Sequence, residues 1–289
     1  MSCTKYYPCH DITCKIELHV HTTFSDGAFT PERIVELAWE RGIRFLAITD
    51  HDTVFGLEEA KNKALQYPLE LIPGVELSTV YHDHEIHILG YYIDPGSPEL
   101  LETLSLLTGS RRNRVLKIDE NLKYYGLDIT YDDVRTKVLD NGSQGRPHIA
   151  LALIEHGIVK TVEEAFEKFL NPGCPGYVPR YKLSPCDAIT LIKKAGGVPV
   201  LAHPGIDFPF ELLPSCMETG LEGMEVYYPR HTPEMEKEYL NLALKMGLIV
   251  TGGSDFHGHE TQEWRYFGEM PVPPQSIKRL KEMSPEKTY

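Results

Sequence analysis

The chain lacks three features that would place it in other classes of protein. Its six cysteines are scattered at positions 3, 9, 14, 174, 186 and 216 without a Cys-x-x-Cys pair, so a cysteine zinc site or a redox dithiol has no support. No apolar run approaches the roughly 18 residues of a membrane span. The N-terminus also lacks the apolar segment of a signal peptide. We therefore expect a soluble, cytoplasmic protein with reduced thiols and no membrane partner.

Positive charge is also scarce. The chain has 29 lysine and arginine residues against 42 aspartate and glutamate residues, which gives a net charge of −13. Because this charge repels phosphates, the composition argues against a long nucleic-acid footprint, and any phosphate site must be local. At 289 residues the chain is long enough for two average domains or for one α/β barrel, and length does not decide between them.

Two histidines near the N-terminus have the spacing of metal ligands. In an extended strand over residues 16–21, the even-numbered apolar side chains share one face, and Glu17, His19 and His21 share the other. Two imidazoles on one face can chelate one ion, and Asp26 follows after a short loop as an oxygen donor. An isolated His-x-His segment is equally compatible with two surface histidines, so the rest of the chain must decide.

Strand and helix patterns alternate at both ends of the chain. Apolar runs bounded by turn residues predict seven strands, at residues 16–21, 44–48, 71–77, 85–89, 198–203, 223–228 and 248–251. Thr30 and Pro31 predict the start of the first helix, and Gly42 predicts its end. Between residues 98 and 182 only helical spacing is found. We expect an α/β barrel built from residues 1–97 and 183–289, with a helical insertion over residues 98–182.

Metal-ligand residue types follow most of these strands. They are His19, His21, Asp26, His51, Glu76, His87, His203, Asp255 and His257. In an α/β barrel the C-terminal strand ends meet at one mouth, where catalytic groups collect. These donors exceed the need of one ion, so we predict two or three divalent ions. Such a site attracts phosphate and lowers the pKa of a bound water molecule. The predicted catalytic groups are Asp26, Glu76, His203 and Asp255. Asp50, Asp52 and Glu225 are expected to orient ligand histidines.

Seven segments carry a resemblance to a known family. They are His19-Val-His21, Ser25-Asp26-Gly27, Thr49-Asp50-His51-Asp52, Pro73-Gly74-Val75-Glu76, His87, Ala202-His203-Pro204 and Gly253-Ser254-Asp255-Phe256-His257. Together they resemble the PHP (polymerase and histidinol phosphatase) family of metal-dependent phosphoesterases. The whole chain, insertion included, is similar to the bacterial branch that contains 3′,5′-nucleoside bisphosphate phosphatases and a 5′-to-3′ exoribonuclease.

The resemblance implies a distorted, TIM-like (β/α)7 barrel with three divalent ions. Manganese is the expected metal, and iron and zinc are the alternatives. It also implies three ligand sets. The first contains His19, His21, Glu76 and Asp255. The second contains Asp26, His51 and His257. The third contains Glu76, His87 and His203. Every ligand position of the family carries an expected residue type here, so the motifs do not suggest an inactive site.

The insertion supplies candidates for binding the substrate. They are Arg111, Arg114, Arg146, His148 and Tyr177. Arg111 and Arg114 are near neighbours on one helix, and the guanidinium fork of arginine matches phosphate in a bidentate way. The alternative is that these arginines form an ordinary solvated face. Tyr177 and Tyr228 are suited to stack on a base, and equally suited to be core or rim aromatics.

The leading hypothesis is a hydrolase of phosphate monoesters in which a metal-bridging hydroxide attacks phosphorus. Its expected substrates are 3′,5′-bisphosphonucleotides and the 5′ ends of short RNA, because the arginines of the insertion suit a ligand with two phosphates. A histidinol-phosphate phosphatase is the alternative within the same class. A metal-stabilised binding module without turnover is the alternative from another class, and it predicts eroded ligands, which this sequence does not show.

Overall fold

A computed structural model describes residues 15–82, 84–127, 129–135, 146–178, 183–259 and 262–284, apart from the side chains of four residues inside helices. Those four residues are Arg111, Arg112, Tyr131 and Arg135. The predicted substrate role of the Arg111 side chain therefore lies outside the described residues, as do three of the cysteines, at positions 3, 9 and 14. Among the described helices, none combines the length and the apolar composition needed to cross a bilayer.

Seven strands form one sheet in which spatial order follows chain order. They are β1 (Lys15–Glu17), β2 (Ile43–Ile48), β3 (Glu70–Tyr81), β4 (His84–Tyr91), β5 (Val198–Leu201), β6 (Gly223–Tyr227) and β7 (Ile249–Gly252). Neighbouring strands are parallel except that β4 runs antiparallel to both β3 and β5. The predicted α/β class and its strands are confirmed.

The two edges of this sheet meet just beyond the ends of β1 and β7. Val20 pairs with Phe256 in a parallel bridge. On either side of it, the His21 N–H donates to the Phe256 carbonyl at 3.0 Å and the Phe256 N–H donates to the His19 carbonyl at 3.2 Å. A sheet whose first and last strands are joined in this way closes into a distorted barrel, and the closure lies beside the predicted ligands.

Helices cover the outside of the barrel and build the insertion. They are α1 (Pro31–Glu40), α2 (Leu57–Ala64), α3 (Pro98–Tyr124), α4 (Tyr131–Arg135), α5 (Arg146–Glu155), α6 (Val162–Ala165), α7 (Pro185–Lys194), α8 (Leu213–Thr219), α9 (Pro233–Met246) and α10 (Pro274–Met283). The Thr30 side chain caps α1 by accepting from the Arg33 N–H, and Gly42 follows its end with φ 76°, as predicted. The sequence analysis did not anticipate α4 and α10.

Apolar side chains form an inner and an outer layer on the sheet. Ile16 and Leu18 lie in the inner cluster, which Ile277 and Leu280 of α10 complete. Val20 lies in the outer cluster, which packs against the surrounding helices. The prediction that residues 16, 18 and 20 share a face was therefore wrong. Its physical reason is that β1 ends at Glu17, so the alternation of an extended strand stops before the histidines.

The insertion has a hydrophobic core of its own. Ile118 and Leu122 on the second half of α3 pack with Leu153 of α5 and with neighbouring apolar residues. The first half of α3 instead contributes Leu100 and Leu104 to the outer cluster of the barrel. One helix thus belongs to both cores and connects them. The boundary at residue 98 stays a prediction.

Candidate metal centre

Glu76 lies at the centre of the predicted ligands. It stands within β3 with 0% of its surface exposed. Its Oε2 atom is 3.2 Å from His19 Nε2, 3.2 Å from His21 Nε2 and 3.0 Å from His51 Nδ1. Its Oε1 atom is 2.8 Å from His87 Nδ1 and 3.1 Å from His203 Nε2. Both oxygens of one buried carboxylate therefore face imidazoles that five separate chain positions supply.

The two aspartates extend this centre to its sides. Asp255 Oδ1 lies 3.1 Å from His21 Nε2 and 3.4 Å from His19 Nε2. Asp26 Oδ1 lies 3.4 Å from His257 Nε2, and its side chain is 47% exposed. Asp26 is thus the most accessible of the three predicted carboxylate ligands, while Glu76 is fully enclosed.

The donor atoms fall into four groups in which all members lie within 4.8 Å of one another. The groups are His21, Asp26, His51 and His257; His19, His21, Glu76 and Asp255; His19, His203 and Glu225; and His51, Glu76 and His87. The second group coincides with the first implied ligand set. The first group contains the second implied set and adds His21. His87 and His203, which the third set unites through Glu76, fall into different groups, and Glu225 joins His203.

The residues fit divalent ions on the evidence of their hydrogen bonding. Within the described part of the chain, four buried atoms here lie close together without forming a hydrogen bond of acceptable geometry: His19 Nε2, His21 Nε2, His51 Nδ1 and Glu76 Oε2. An unsatisfied buried polar group costs about 1–3 kcal/mol, so four that converge on one point require a common partner. Imidazole nitrogens and a carboxylate oxygen are ligands of manganese, iron and zinc.

Burial and the neighbouring charges shift the pKa values within this cluster in opposite directions. Burial alone would lower the pKa of His21, but Asp255 and Glu76 raise it to about 10. Burial lowers the pKa of His51 to about 4 despite the nearby carboxylates. Burial would raise the pKa of Glu76, but the surrounding histidines hold it well below its ordinary value. The site thus keeps its central carboxylate ionised, which is the state that a cation requires.

A further carboxylate orients the ligands from behind. Glu225 Oε1 lies 3.1 Å from His19 Nδ1, and Glu225 Oε2 accepts the His203 N–H at 2.9 Å. The orienting role expected for Glu225 agrees with these contacts. Asp50 acts one residue further away, because it accepts from the Ser25 hydroxyl at 2.6 Å, and that hydroxyl lies 3.5 Å from His21 Nδ1.

Two of the predicted ligands have positive φ angles, which residues other than glycine rarely adopt. His203 has φ 23° and Asp255 has φ 51°. Such conformations cost on the order of 1–3 kcal/mol each and persist only where the surroundings enforce them. The sharp turns that follow β5 and β7 use them to direct both side chains into the centre.

Glu17 is a structural carboxylate that the sequence analysis left without a role. It is fully buried and accepts the N–H groups of Ser254 and Gly268, both at 2.8 Å. Burial raises its pKa to about 7, although these backbone donors oppose the shift. The sequence did contain a signal for this structural role, because Glu17 lies between two apolar residues of a strand that was predicted to be buried on one face. Its bond to Ser254 anchors the loop that presents Asp255.

The predicted substrate groups lie in the insertion. Arg114 lines a cavity of about 580 Å³ along α3 and donates through Nε to the Val178 carbonyl at 2.6 Å. Arg146 begins α5, donates to the Leu170 carbonyl at 3.3 Å and lies over the Phe166 ring. His148 and Tyr177 are half-buried. Their roles in binding substrate stay predictions.

Tyr228 does not fit the stacking role that was considered for it. Its side chain is among the largest that are fully buried, with 2% exposure, so its ring offers no face to a base. Its hydroxyl instead donates to Asp255 Oδ2 at 3.2 Å. The stacking hypothesis for Tyr228 was wrong because the ring is enclosed, with the ring of His203 5.2 Å away.

Comparison with known proteins agrees with this geometry. Residues 17–285 match the PHP domain family. A 3′,5′-nucleoside bisphosphate phosphatase of Chromobacterium violaceum is 35% identical over 248 residues, 84% of this chain and 87% of that protein. The 5′-3′ exoribonuclease Rnm of Escherichia coli is 36% identical over 264 residues, 89% of this chain and 88% of that protein. The solved structure of a candidate metal-dependent phosphoesterase from Bifidobacterium adolescentis is similar with a TM-score of 0.83 and 32% identity, covering 95% of this chain and 98% of that one.

The match spans the barrel, the insertion and every predicted ligand. The buried donors around Glu76 supply the kind of site that a metal-dependent hydrolase needs. The chain therefore belongs to the PHP domain family, and the expectation of a metal-dependent hydrolase is confirmed with it.

Proposed function

We propose that this protein is a cytoplasmic phosphatase that removes one phosphate from 3′,5′-bisphosphonucleotides and also acts on the 5′ ends of short RNA. The observation that carries the proposal is the convergence of five imidazoles on the two oxygens of Glu76. A centre of this composition suits phosphate esters, because the cations that it would hold lie close enough together to bind one anion. Similarity to a bisphosphate phosphatase and to an exoribonuclease over most of their lengths supports the nucleotide as substrate.

The nine predicted ligands would hold three divalent ions, manganese in the first place and iron or zinc as alternatives. When bound, these ions would supply positive charge for the phosphate and lower the pKa of a water molecule. Glu76 would hold the imidazoles around its two oxygens in register. Asp26, the exposed carboxylate, would face entering water and substrate, and His203 and Asp255 would help to hold the ions that bind the phosphate.

The insertion, predicted to span residues 98–182, would select the substrate. Arg114 stands in the wall of a cavity beside α3, and Arg146 and His148 stand at the start of α5. In this proposal they hold the phosphate that is not cleaved, together with Arg111, and Tyr177 contacts the base. Charge-assisted contacts of arginine with phosphate are strong enough to separate a substrate with two phosphates from one with a single phosphate.

The test is phosphate release by manganese-reconstituted protein from four compounds: a 3′,5′-bisphosphonucleotide, its two monophosphates and a 5′-phosphorylated oligoribonucleotide. We expect the bisphosphonucleotide to have a kcat/KM at least about tenfold above either monophosphate, since one charge-assisted contact is worth about 1.5–3 kcal/mol. Equal rates on all four would contradict selection by the insertion. Turnover of histidinol phosphate in preference to all of them would establish the alternative phosphatase. No phosphate release from any ester, with ions bound, would favour the binding module.

A further inference from the structure

A chain of hydrogen bonds leads from the metal centre to the surface. The Tyr228 hydroxyl donates to Asp255 Oδ2 at 3.2 Å. Arg230 donates to the same hydroxyl oxygen from Nε at 3.0 Å and from Nη2 at 2.7 Å. The phenolic oxygen therefore gives its one proton to Asp255 and accepts two bonds from the guanidinium, which uses its full capacity.

The middle of this chain is held rigidly. Tyr228 is 2% exposed, and its ring lies 5.2 Å from the ring of His203. The turn after β6 is closed by the His231 N–H, which donates to the Tyr228 carbonyl at 2.9 Å. Arg230 lies inside this turn and has little freedom to move its backbone.

The guanidinium at the outer end remains able to bind an anion. Arg230 is exposed, and arginine carries five N–H donors, of which Tyr228 takes two. Within the described residues, no carboxylate lies at ion-pair distance from it. An exposed cation that is oriented by a neutral oxygen, next to a ligand of the metal centre, is arranged for an anion from solution.

We propose that Arg230 binds the phosphate that is cleaved, and that Tyr228, which holds the guanidinium of Arg230, also fixes the position of Asp255. The proposal rests on the proposed function only in requiring a phosphate ester, not a nucleotide. It assigns to Arg230 a site on the reacting phosphate, which every substrate has. The arginines of the insertion are assigned to the other phosphate, which only some substrates have. The two sets therefore respond differently to the choice of substrate.

The first measurement compares substrates in the manganese-loaded enzyme. Arg230→Gln should lower kcat/KM on the order of tenfold to a hundredfold, and by a similar factor for an aryl phosphate and for a bisphosphonucleotide. Arg230→Lys should recover part of the loss, since it restores a charge without the fork. Arg33→Gln, which removes an exposed arginine of α1 paired with Glu36 and Glu40, is the control and should leave both substrates unchanged.

The second measurement does not depend on turnover. Calorimetric titration of inorganic phosphate into the loaded protein should show about tenfold or greater weakening in Arg230→Gln and none in Arg33→Gln. Tyr228→Phe keeps the ring but removes the bond to Asp255, so it should lower the metal affinity, measured by elemental analysis after dialysis. Arg230→Gln keeps that bond and should retain full metal content.

The outcomes separate this proposal from the proposed function. Unchanged phosphate binding in Arg230→Gln would overturn the role of Arg230, whatever the best substrate proves to be. A loss confined to bisphosphonucleotides would place Arg230 with the insertion arginines and would also overturn it. Failure to prefer bisphosphonucleotides, with phosphate binding still weakened by Arg230→Gln, would refute the substrate assignment alone. Full metal affinity in Tyr228→Phe would refute the positioning of Asp255.

Discussion

Glu225 and His19 stand in a fixed relationship: the carboxylate lies 3.1 Å from Nδ1 of the imidazole, while Nε2 of the same ring faces Glu76. A carboxylate oxygen accepts a hydrogen bond, so this contact favours the neutral His19 tautomer with its proton on Nδ1, which would leave Nε2 to bind a cation. We expect Glu225→Gln to weaken metal binding by about 10- to 100-fold, the usual cost of losing such a partner. Competition with a chelator of known affinity measures this.

The control for Glu225→Gln lies nearby on the chain. Glu222 precedes β6, and its carboxylate pairs with Lys193, away from the ligands. Glu222→Gln should keep the metal affinity of the native protein. If both variants held metal equally well, the contact between Glu225 and His19 would have no role in binding.

Glu76→Ala should be the most damaging single change at the centre. The substitution removes both oxygens that face His19, His51 and His87, so the imidazoles lose their common partner. We expect the loss of at least one ion per chain and a fall in kcat of at least about a thousandfold, because the site would lose positive charge that it needs to stabilise the phosphate in the transition state. Elemental analysis and the rate on an aryl phosphate provide the two readings.

The matched change for Glu76→Ala is Glu70→Ala at the start of the same strand. Glu70 bonds to Tyr92 and Lys281 at the other end of the barrel. The Glu70→Ala variant should retain the metal content and the rate of the native protein. Retention of metal and rate in Glu76→Ala itself would remove the bridging role from the proposal.

Arg114→Ala tests the division of labour between insertion and barrel. If Arg114 grips the phosphate that is not cleaved, kcat/KM for a bisphosphonucleotide should fall on the order of tenfold to a hundredfold, because a charge-assisted contact is worth about 1.5–3 kcal/mol. An aryl phosphate offers nothing for it to hold and should be cleaved as before. Lys123→Ala, on the same helix and paired with Asp119, is the control. Equal losses on both substrates would place Arg114 at the reacting phosphate or in the fold.

The separate core of the insertion predicts separate stabilities. Leu153 is fully buried in α5, and Leu153→Ala should lower the free energy of unfolding of the insertion by about 2–5 kcal/mol. Leu151, on the same helix, is 44% exposed, and Leu151→Ala should change stability by no more than about 0.5 kcal/mol. Limited proteolysis with metal analysis checks this. Loss of metal in step with unfolding of the insertion would show that α3 couples the two cores and would contradict separate stabilities.

Much of the fold follows from local chemistry that the sequence displays. Thr30, Pro31 and Gly42 bound α1 because capping and left-handed conformations depend on single residues. The ligands were found because imidazole and carboxylate groups recur at strand ends, where a barrel brings them together. Helix α10 also had a signal, Pro274 followed by Ile277 and Leu280 at helical spacing, and its place against the inner apolar cluster depends on packing across the whole chain.

Other features depend on partners that spacing does not reveal. Val20 changes layer because β1 stops at Glu17 and the chain turns to pair with Phe256. The burial of Tyr228 follows from the path of the chain beyond β6. The role proposed for Arg230 depends on the Tyr228 hydroxyl, which lies beside Asp255, and the sequence alone does not reveal that contact. Local patterns determine elements, whereas these three depend on contacts between distant segments.

The pairing of Val20 with Phe256 makes assembly of the metal centre a late event in the synthesis of the protein. A ribosome releases His19 and His21 early, but Asp255 and His257 follow β7 near the end of the chain. Until then the nascent chain carries an incomplete set of donors and an open edge on β1. Closure of the barrel and completion of the donor set therefore depend on the same segment, and a chain that stops before residue 255 has neither.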